Sequence, residues 1–199
     1  MGVGSKLPAV PSLAVRRIDL FRQLSSTERA SVIYGSLQLR NLGAPMTDDG
    51  SKTQIRFRVA APVDAELLGR LNSQLIRDEG HRNPMSVSEL VERMRAWLEG
   101  GYAAVIAEEL GSTIGYALFR REPDHVYLRQ LFVQREARRR GIGRSIVQWL
   151  IENGGQEVAR LRIEVLVGNE AAKSFWKSIG FHEYCVTMEL DFPRRPSNL

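Results

Sequence analysis

The sequence holds little of what cross-links or anchors a chain. Its 199 residues include one cysteine, Cys185, so no internal disulfide can form. That cysteine stands in an alternating apolar stretch rather than beside other ligand types, and no metal site is expected. A disulfide-framed secreted fold is excluded, and a reducing, cytoplasmic setting is the expectation. No apolar run approaches the ~18 residues that a membrane span needs. The N-terminal stretch lacks the uninterrupted apolar segment of a secretory signal. Its opening, Met1-Gly2-Val3-Gly4-Ser5-Lys6, puts lysine where the myristoylation pattern takes Ser or Thr. There is no internal repeat and no low-complexity segment.

What is present is ordinary in amount and uneven in placement. Hydrophobic residues at 43% and charged ones at 26% exclude wholesale disorder and fibrous architecture. The length suits one buried core. The formal net charge is +5, but residues 1–45 hold six Lys or Arg against two Asp or Glu, so only +1 is left for the rest. The basic balance is therefore no sign of nucleic-acid binding by the main domain. Arg16, Arg17, Arg22, Arg29 and Arg40 of the extension form no cluster and lack interleaved aromatics. Periodicity is weak up to Met46 and sharpens from Gln54. The expected division is an extension over 1–52, a domain over 53–191 and a tail over 192–199. Residues 1–45 read as a flexible extension or as an upstream translation artefact, with Met46 as the true start.

Within the domain, helical and extended patterns alternate. Ile55 to Val59 alternates apolar with charged, as a half-buried strand does. Pro62 and Asp64 open a helix with Leu67, Leu68, Leu71, Leu75 and Ile76 on one face. Ser86 and Glu89 form a capping box for a second helix that turns Leu90, Val91, Met94, Trp97 and Leu98 inward. Two apolar strands, Tyr102–Ala107 and Thr113–Phe119, read as a hairpin across Glu109-Leu110-Gly111-Ser112. A strand Val126–Val133, a basic loop and a helix over about 143–153 follow, the helix turning Ile142, Ile146, Val147, Leu150 and Ile151 to one side. A strand Leu161–Val167, a helix Asn169–Ile179 and a last strand His182–Leu190 complete the pattern. The class is α/β, a mixed sheet flanked by helices in the order β-α-α-β-β-β-α-β-α-β.

The chemistry concentrates in Arg138-Arg139-Arg140-Gly141-Ile142-Gly143. A strand, a loop and a helix opening on glycines let backbone N–H groups reach an anion, and the helix dipole favours it. Arg138, Arg139, Arg140 and Arg144 add charge for a multiply charged ligand. A solvated basic loop is the plain alternative. A dinucleotide fingerprint is disfavoured, because its third glycine position is Ile146, Gly141 lies seven residues after Val133, and Glu164 sits within a strand.

From about residue 54 to 190 the chain resembles the GCN5-related N-acetyltransferase (GNAT) family. The family motif R/Q-x-x-G-x-G/A is matched by Arg138 to Gly143. Leu128 to Val133 looks like its fourth strand, and Asn169 to Phe181 is similar to its N-x-x-A-x-x-F-Y-x-x-x-G-F helix. The resemblance implies a sheet splayed between the strands at 126–133 and 161–167, with acetyl-CoA in the gap. Leu131, Phe132 and Val133 would pair with the pantetheine arm. Arg138, Arg139, Arg140, Gly141, Ile142, Gly143, Arg144 and Ser145 would receive the pyrophosphate, with Asn169 and Trp176 as further contacts. It also implies direct acetyl transfer to a primary amine of a small molecule or peptide in a ternary complex, without a metal or a membrane; a homodimer is compatible with it.

Such a reaction needs a base for the amine proton, and candidates are Glu79, His81 and Glu108. A donor such as the Val133 N–H would polarise the thioester carbonyl. Trp176 stands where many relatives carry an acidic tyrosine, and an indole N–H cannot replace it. Tyr184 and Tyr127 are the substitutes. The alternative is a coenzyme A-binding regulatory module without efficient chemistry.

Overall fold

The charged-apolar alternation after Gln54 becomes β1 (Arg56–Val59) in the computed structural model, which describes residues 54–154 and 158–190. The expectations for residues 1–52 and for the tail at 192–199 lie outside the described residues. A short 3-10 turn at Pro62–Asp64 leads into α1 (Ala65–Glu79), and Asp64 accepts the Ala61 amide at 2.8 Å. Helix α2 (Val87–Glu99) starts at the expected box: Ser86 Oγ accepts from the Glu89 amide at 3.4 Å, and the Ser86 amide donates to Glu89 at 2.7 Å. Strands β2 (Ala103–Glu109) and β3 (Ser112–Arg121) form the hairpin over Leu110 and Gly111, followed by β4 (Val126–Val133).

Helix α3 (Ile142–Trp149) connects β4 to β5 (Leu161–Ile163). The sheet has five strands in chain order; β1 to β4 are antiparallel, and β5 runs parallel to β4. Its core, on the side of α1 and α2, joins Leu68, Leu71 and Leu75 with Met94 and Leu98, over Ile106, Tyr116, Leu118 and Phe132. The apolar stripes read from the sequence therefore meet across the sheet, and their burial is the main drive for this packing.

Three expectations are corrected. Helix α3 stops its α-type bonding at Trp149 and passes into a π turn over Leu150–Gly154. The added residue per turn shifts the phase of the stripe, so Ile151 is 57% exposed while Trp149 is buried. Arg121 fixes the turn, donating from Nε to the Gly154 carbonyl at 2.7 Å. Strand β5 ends at Ile163 rather than Val167. Residues His182–Leu190 carry no strand: Tyr184, Val186, Met188 and Leu190 are exposed, and alternation without a ladder partner does not make a strand.

The chain divides into two compact units between Leu166 and Val167. The sheet with α1 to α3 belongs to the first. The second holds α4 (Glu170–Ser178), where Asn169 Oδ1 caps the helix by accepting the Ala172 amide at 3.0 Å. Trp176 is buried there, edge-on to Phe175 and Phe181 with ring centres 4.9 Å away in each case.

Candidate active site

Strand β4 is paired on both sides only in its first half. Val126, Tyr127 and Leu128 pair with β5, whereas among the described residues no strand pairs with Arg129–Val133 on that side. A bulge at Arg129 marks the change, since Gln130 pairs with Leu118 but Leu128 with Phe119. The Gln134 amide donates to Ile114 of β3 at 2.9 Å. Counting back by two, Phe132 and Gln130 also turn their backbone groups to β3, and Leu131 and Val133 turn theirs to the open side. The open edge thus presents the Leu131 and Val133 amides. Phe132 serves through its buried ring instead.

The loop after β4 turns sharply. Ala137 and Arg138 close a 3-10 turn on Gln134 and Arg135, Arg139 takes φ 63°, and Gly141 takes φ 83°. A side chain in that left-handed region costs about 1–2 kcal/mol, which explains glycine at 141 and marks Arg139 as a held conformation. A Cβ built on Gly141 would meet nothing within 4 Å. Open space therefore lies over the helix start. The first α-type bond of α3 runs from the Ser145 amide to the Gly141 carbonyl at 3.0 Å. The amides of Ile142, Gly143 and Arg144 precede the helical ladder and have no acceptor within it. Gly115 lets this corner close: a Cβ there would come within 2.6 Å of the Phe132 carbonyl and 3.3 Å of Ile146.

The arginines divide their work. Arg138 Nε donates to the Val133 carbonyl at 2.9 Å, and its Nη2 bonds Asp78 at the end of α1; Arg135 reaches the same carboxylate at 3.4 Å. The Arg138 bond holds the Asp78 carboxyl below its ordinary pKa. Arg140 grips Glu109 with two bonds of 2.5 and 3.0 Å. Both side chains therefore brace the loop. Arg139 and Arg144 are exposed beside the helix start, and Ser145 bonds back to Gly141.

The candidate bases separate clearly. Glu79, the last residue of α1, is half-buried; burial, and then the charge of Asp78, pushes its pKa up. Its charge is felt by Tyr116, whose pKa is raised by burial and then by Glu79. Tyr116 donates to Gln130 at 3.0 Å, and Gln130 donates to the buried Asn72 at 2.8 Å. His81 is exposed in the turn after α1. Glu108, near the end of β2, accepts from Arg58 Nε at 2.7 Å while Arg58 also binds Asp64 at 2.9 Å. Those bonds lift the pKa of Arg58, that with Asp64 first, so Glu108 is a structural partner and drops out as a base. Tyr184 is 75% exposed in a segment without regular structure, which gives it no fixed position from which to act as an acid.

Asp78, Asn72, Arg93 and Tyr116 were missed by sequence reasoning. Asn72 had a legible signal, a polar residue on the stripe of Leu68, Leu71 and Leu75. Arg93 had one as well, four residues before the inward Trp97.

Geometry of this kind can be set against known proteins. The fold is similar to that of a possible acetyltransferase from Clostridium difficile 630, at 16% identity over 71% of this chain and 99% of that one, with a TM-score of 0.60. It is similar to a tetramutant of the BH1408 protein from Bacillus halodurans, at 25% identity over 69% and 99%, with a TM-score of 0.57. A further likeness is to an aminoglycoside N-acetyltransferase, AAC(6')-Iy, in complex with CoA, at 19% identity over 73% and 97%, with a TM-score of 0.55. No curated protein matches. Among the described residues no helix is long and apolar enough to cross a membrane. The model of the acetyltransferase (GNAT) family matches residues 68–181, more than half of the chain, from within α1 through the loop at Arg138–Gly143 to just past α4. The chain belongs to the acetyltransferase (GNAT) family and is an acyltransferase by that membership.

Proposed function

We propose that this protein is an N-acetyltransferase that moves the acetyl group of acetyl-CoA to a primary amine by direct attack in a ternary complex. The observation that carries the reading is the open edge of β4 at Leu131 and Val133, followed along the chain by the start of α3, whose first amides precede the helical ladder. A strand edge and a helix N-terminus meeting at one corner suit a ligand with an amide-bearing arm and a pyrophosphate. The residues present fit that ligand. Leu131 and Val133 would hold the arm, and Ile142, Gly143 and Arg144 the phosphates through their amides. Arg139, Arg144 and Ser145 would add side-chain contacts. Acetyl-CoA supplies the activated carbonyl.

The chain's own residues would do the rest. Glu79 takes the proton that the attacking nitrogen loses as the new C–N bond forms and the C–S bond breaks. Its raised pKa suits a base working nearer neutrality than an ordinary carboxylate. The Val133 N–H donates to the carbonyl oxygen as that oxygen gains charge. Trp176, packed between Phe175 and Phe181, offers no acid, so the thiolate leaves without a proton from that residue.

The test is incubation of the full chain with acetyl-CoA and a panel of amines while free thiol is followed. Amine-dependent thiol release is the expected result. Tight coenzyme A binding without such release would overturn the transferase reading and leave a coenzyme A-binding module.

A further inference from the structure

The side of the sheet under α1 and α2 holds two positive charges with no ion-pair partner among the described residues. Arg93 of α2 and Arg129, at the bulge of β4, each lie 4.6 Å from the Trp97 ring centre. Arg93 is half-buried; its Nη1 meets only the Met85 sulfur at 3.1 Å, and its Nε is buried with no partner. Burial, and then the charge of Arg129, pushes the pKa of Arg93 down. No carboxylate among the described residues pairs with either arginine, although exposed arginines on the same helices, Arg70 and Arg95, have Glu66 and Glu92 at 2.5 Å. A half-buried guanidinium beside a second, exposed one of like charge is costly unless an anion joins them.

The anion's neighbourhood is defined by Tyr116. Glu79 stands two helical turns beyond Asn72 on the same face of α1, the face that bonds Gln130 of β4, and its charge acts on Tyr116. The chain of bonds from Tyr116 through Gln130 ends at Asn72, whose Nδ2 is buried and unpartnered. The same region therefore holds a carboxylate that can take a proton, Glu79, and two guanidinium groups that rest on the Trp97 ring with no carboxylate bonded to them. That is the complement of a molecule with an amine at one end and a carboxylate at the other.

We infer that the acceptor is an amine that itself bears a carboxylate, of the amino-acid type, bound with its carboxylate on Arg93 and Arg129 and its nitrogen toward Glu79. This rests on the transferase reading above. A polycationic acceptor of the aminoglycoside kind would meet two guanidinium groups and is selected against. Arg93 and Arg129 are then specificity-determining residues, acting on acceptor binding more than on the chemical step.

The experiment compares amino acids and short ω-amino carboxylates, each against its own amide, together with an aminoglycoside, in the thiol-release assay. Calorimetry in the presence of coenzyme A measures binding of the matching N-acetyl carboxylates. The free carboxylate should be preferred over its amide by about tenfold or more in kcat/KM, the scale of one charged hydrogen bond. Arg93→Gln and Arg129→Gln should each erase most of that preference through KM, while Arg70→Gln leaves it intact. Should Arg93→Gln fail to fold, the exposed Arg129 carries the test. Equal use of carboxylates and amides, preference for the aminoglycoside, or arginine variants with unchanged preference would overturn the inference and leave the transferase standing. If no amine is acetylated but the N-acetyl carboxylate binds in an arginine-dependent way, the anion site stands and the transferase reading falls. Absence of both release and binding overturns the anion site.

Discussion

Gly141 offers the sharpest separation of fold from ligand binding, because its two neighbouring demands can be broken one at a time. At φ 83° any side chain is strained, so Gly141→Ala should lose about 1–2 kcal/mol of stability, or roughly 2 to 8 °C in Tm. The Cβ itself meets nothing, so no clash is added to that strain. Gly141→Glu carries the same strain, offset by about 0.3–1 kcal/mol because a carboxylate is favoured at a helix start. It should therefore be at least as stable as the alanine variant. Its carboxylate, however, occupies the opening over the Ile142, Gly143 and Arg144 amides. Displacing two charge-assisted hydrogen bonds costs about 3 kcal/mol or more, which is a weakening of roughly 150-fold in Kd. Calorimetry of both variants with coenzyme A, and with a pantetheine fragment lacking the pyrophosphate, checks this. Coenzyme A affinity in Gly141→Glu should fall far below that of Gly141→Ala, while the fragment binds both alike. Equal coenzyme A affinity in the two variants would refute the cradle.

Other outcomes follow from the same geometry. Glu79→Gln should lower kcat/KM by about 10²–10⁴-fold and remove the acidic limb of the pH profile, a limb centred above the ordinary carboxylate range in the parent. Its stability effect has the opposite sense: a carboxyl with a raised folded pKa contributes below its unfolded pKa and loses that contribution as pH rises through the raised value, so the glutamine variant should melt no lower at neutral pH. Asp78 has a lowered folded pKa, so what it contributes is complete above its unfolded pKa and is lost as pH falls through the lowered one. Asp78→Asn should remove that acid sensitivity in melting curves and weaken coenzyme A binding severalfold by freeing Arg138. Glu108→Gln should cost about 1 kcal/mol in melting experiments and leave kcat unchanged, since its partner is Arg58. Gly115→Ala should destabilise by about 1–3 kcal/mol, through the 2.6 Å approach to the Phe132 carbonyl.

The local features were legible because their causes are local. Ser86 and Glu89 are three residues apart, and their box forms as read. The hairpin over Leu110 and Gly111 and the helix opening at Gly141 depend on backbone preferences written into a few adjacent residues. The inward stripes of α1 and α2 follow from a regular period. Where the period changes, the reading fails: the π turn after Trp149 rotates Ile151 outward, and nothing in the apolar spacing announces it. Partners distant in sequence were also hidden. Arg138 meets Asp78 across 60 residues, Arg140 meets Glu109 across 31, and Glu108 meets Arg58 across 50. A run of arginines shows its charge in the sequence but not where that charge is spent.

That distinction changes what the arginine run means for the site. Arg138 is fixed between the Val133 carbonyl and Asp78, so the motif's first arginine closes the backbone of β4 against the end of α1. Arg140, held by Glu109, pins the loop to the end of β2. With both ends pinned, Arg139 and Gly141 can hold the left-handed conformations that bare the helix amides. Pre-forming those donors lowers the ordering cost that a flexible loop would bear on binding an anion. Asp78 and Glu79 are adjacent, so the same end of α1 that locks the cradle also carries the proposed base. A shift of that helix end would disturb cofactor binding and proton transfer together, whereas substitution of Glu79 alone should disturb only the second.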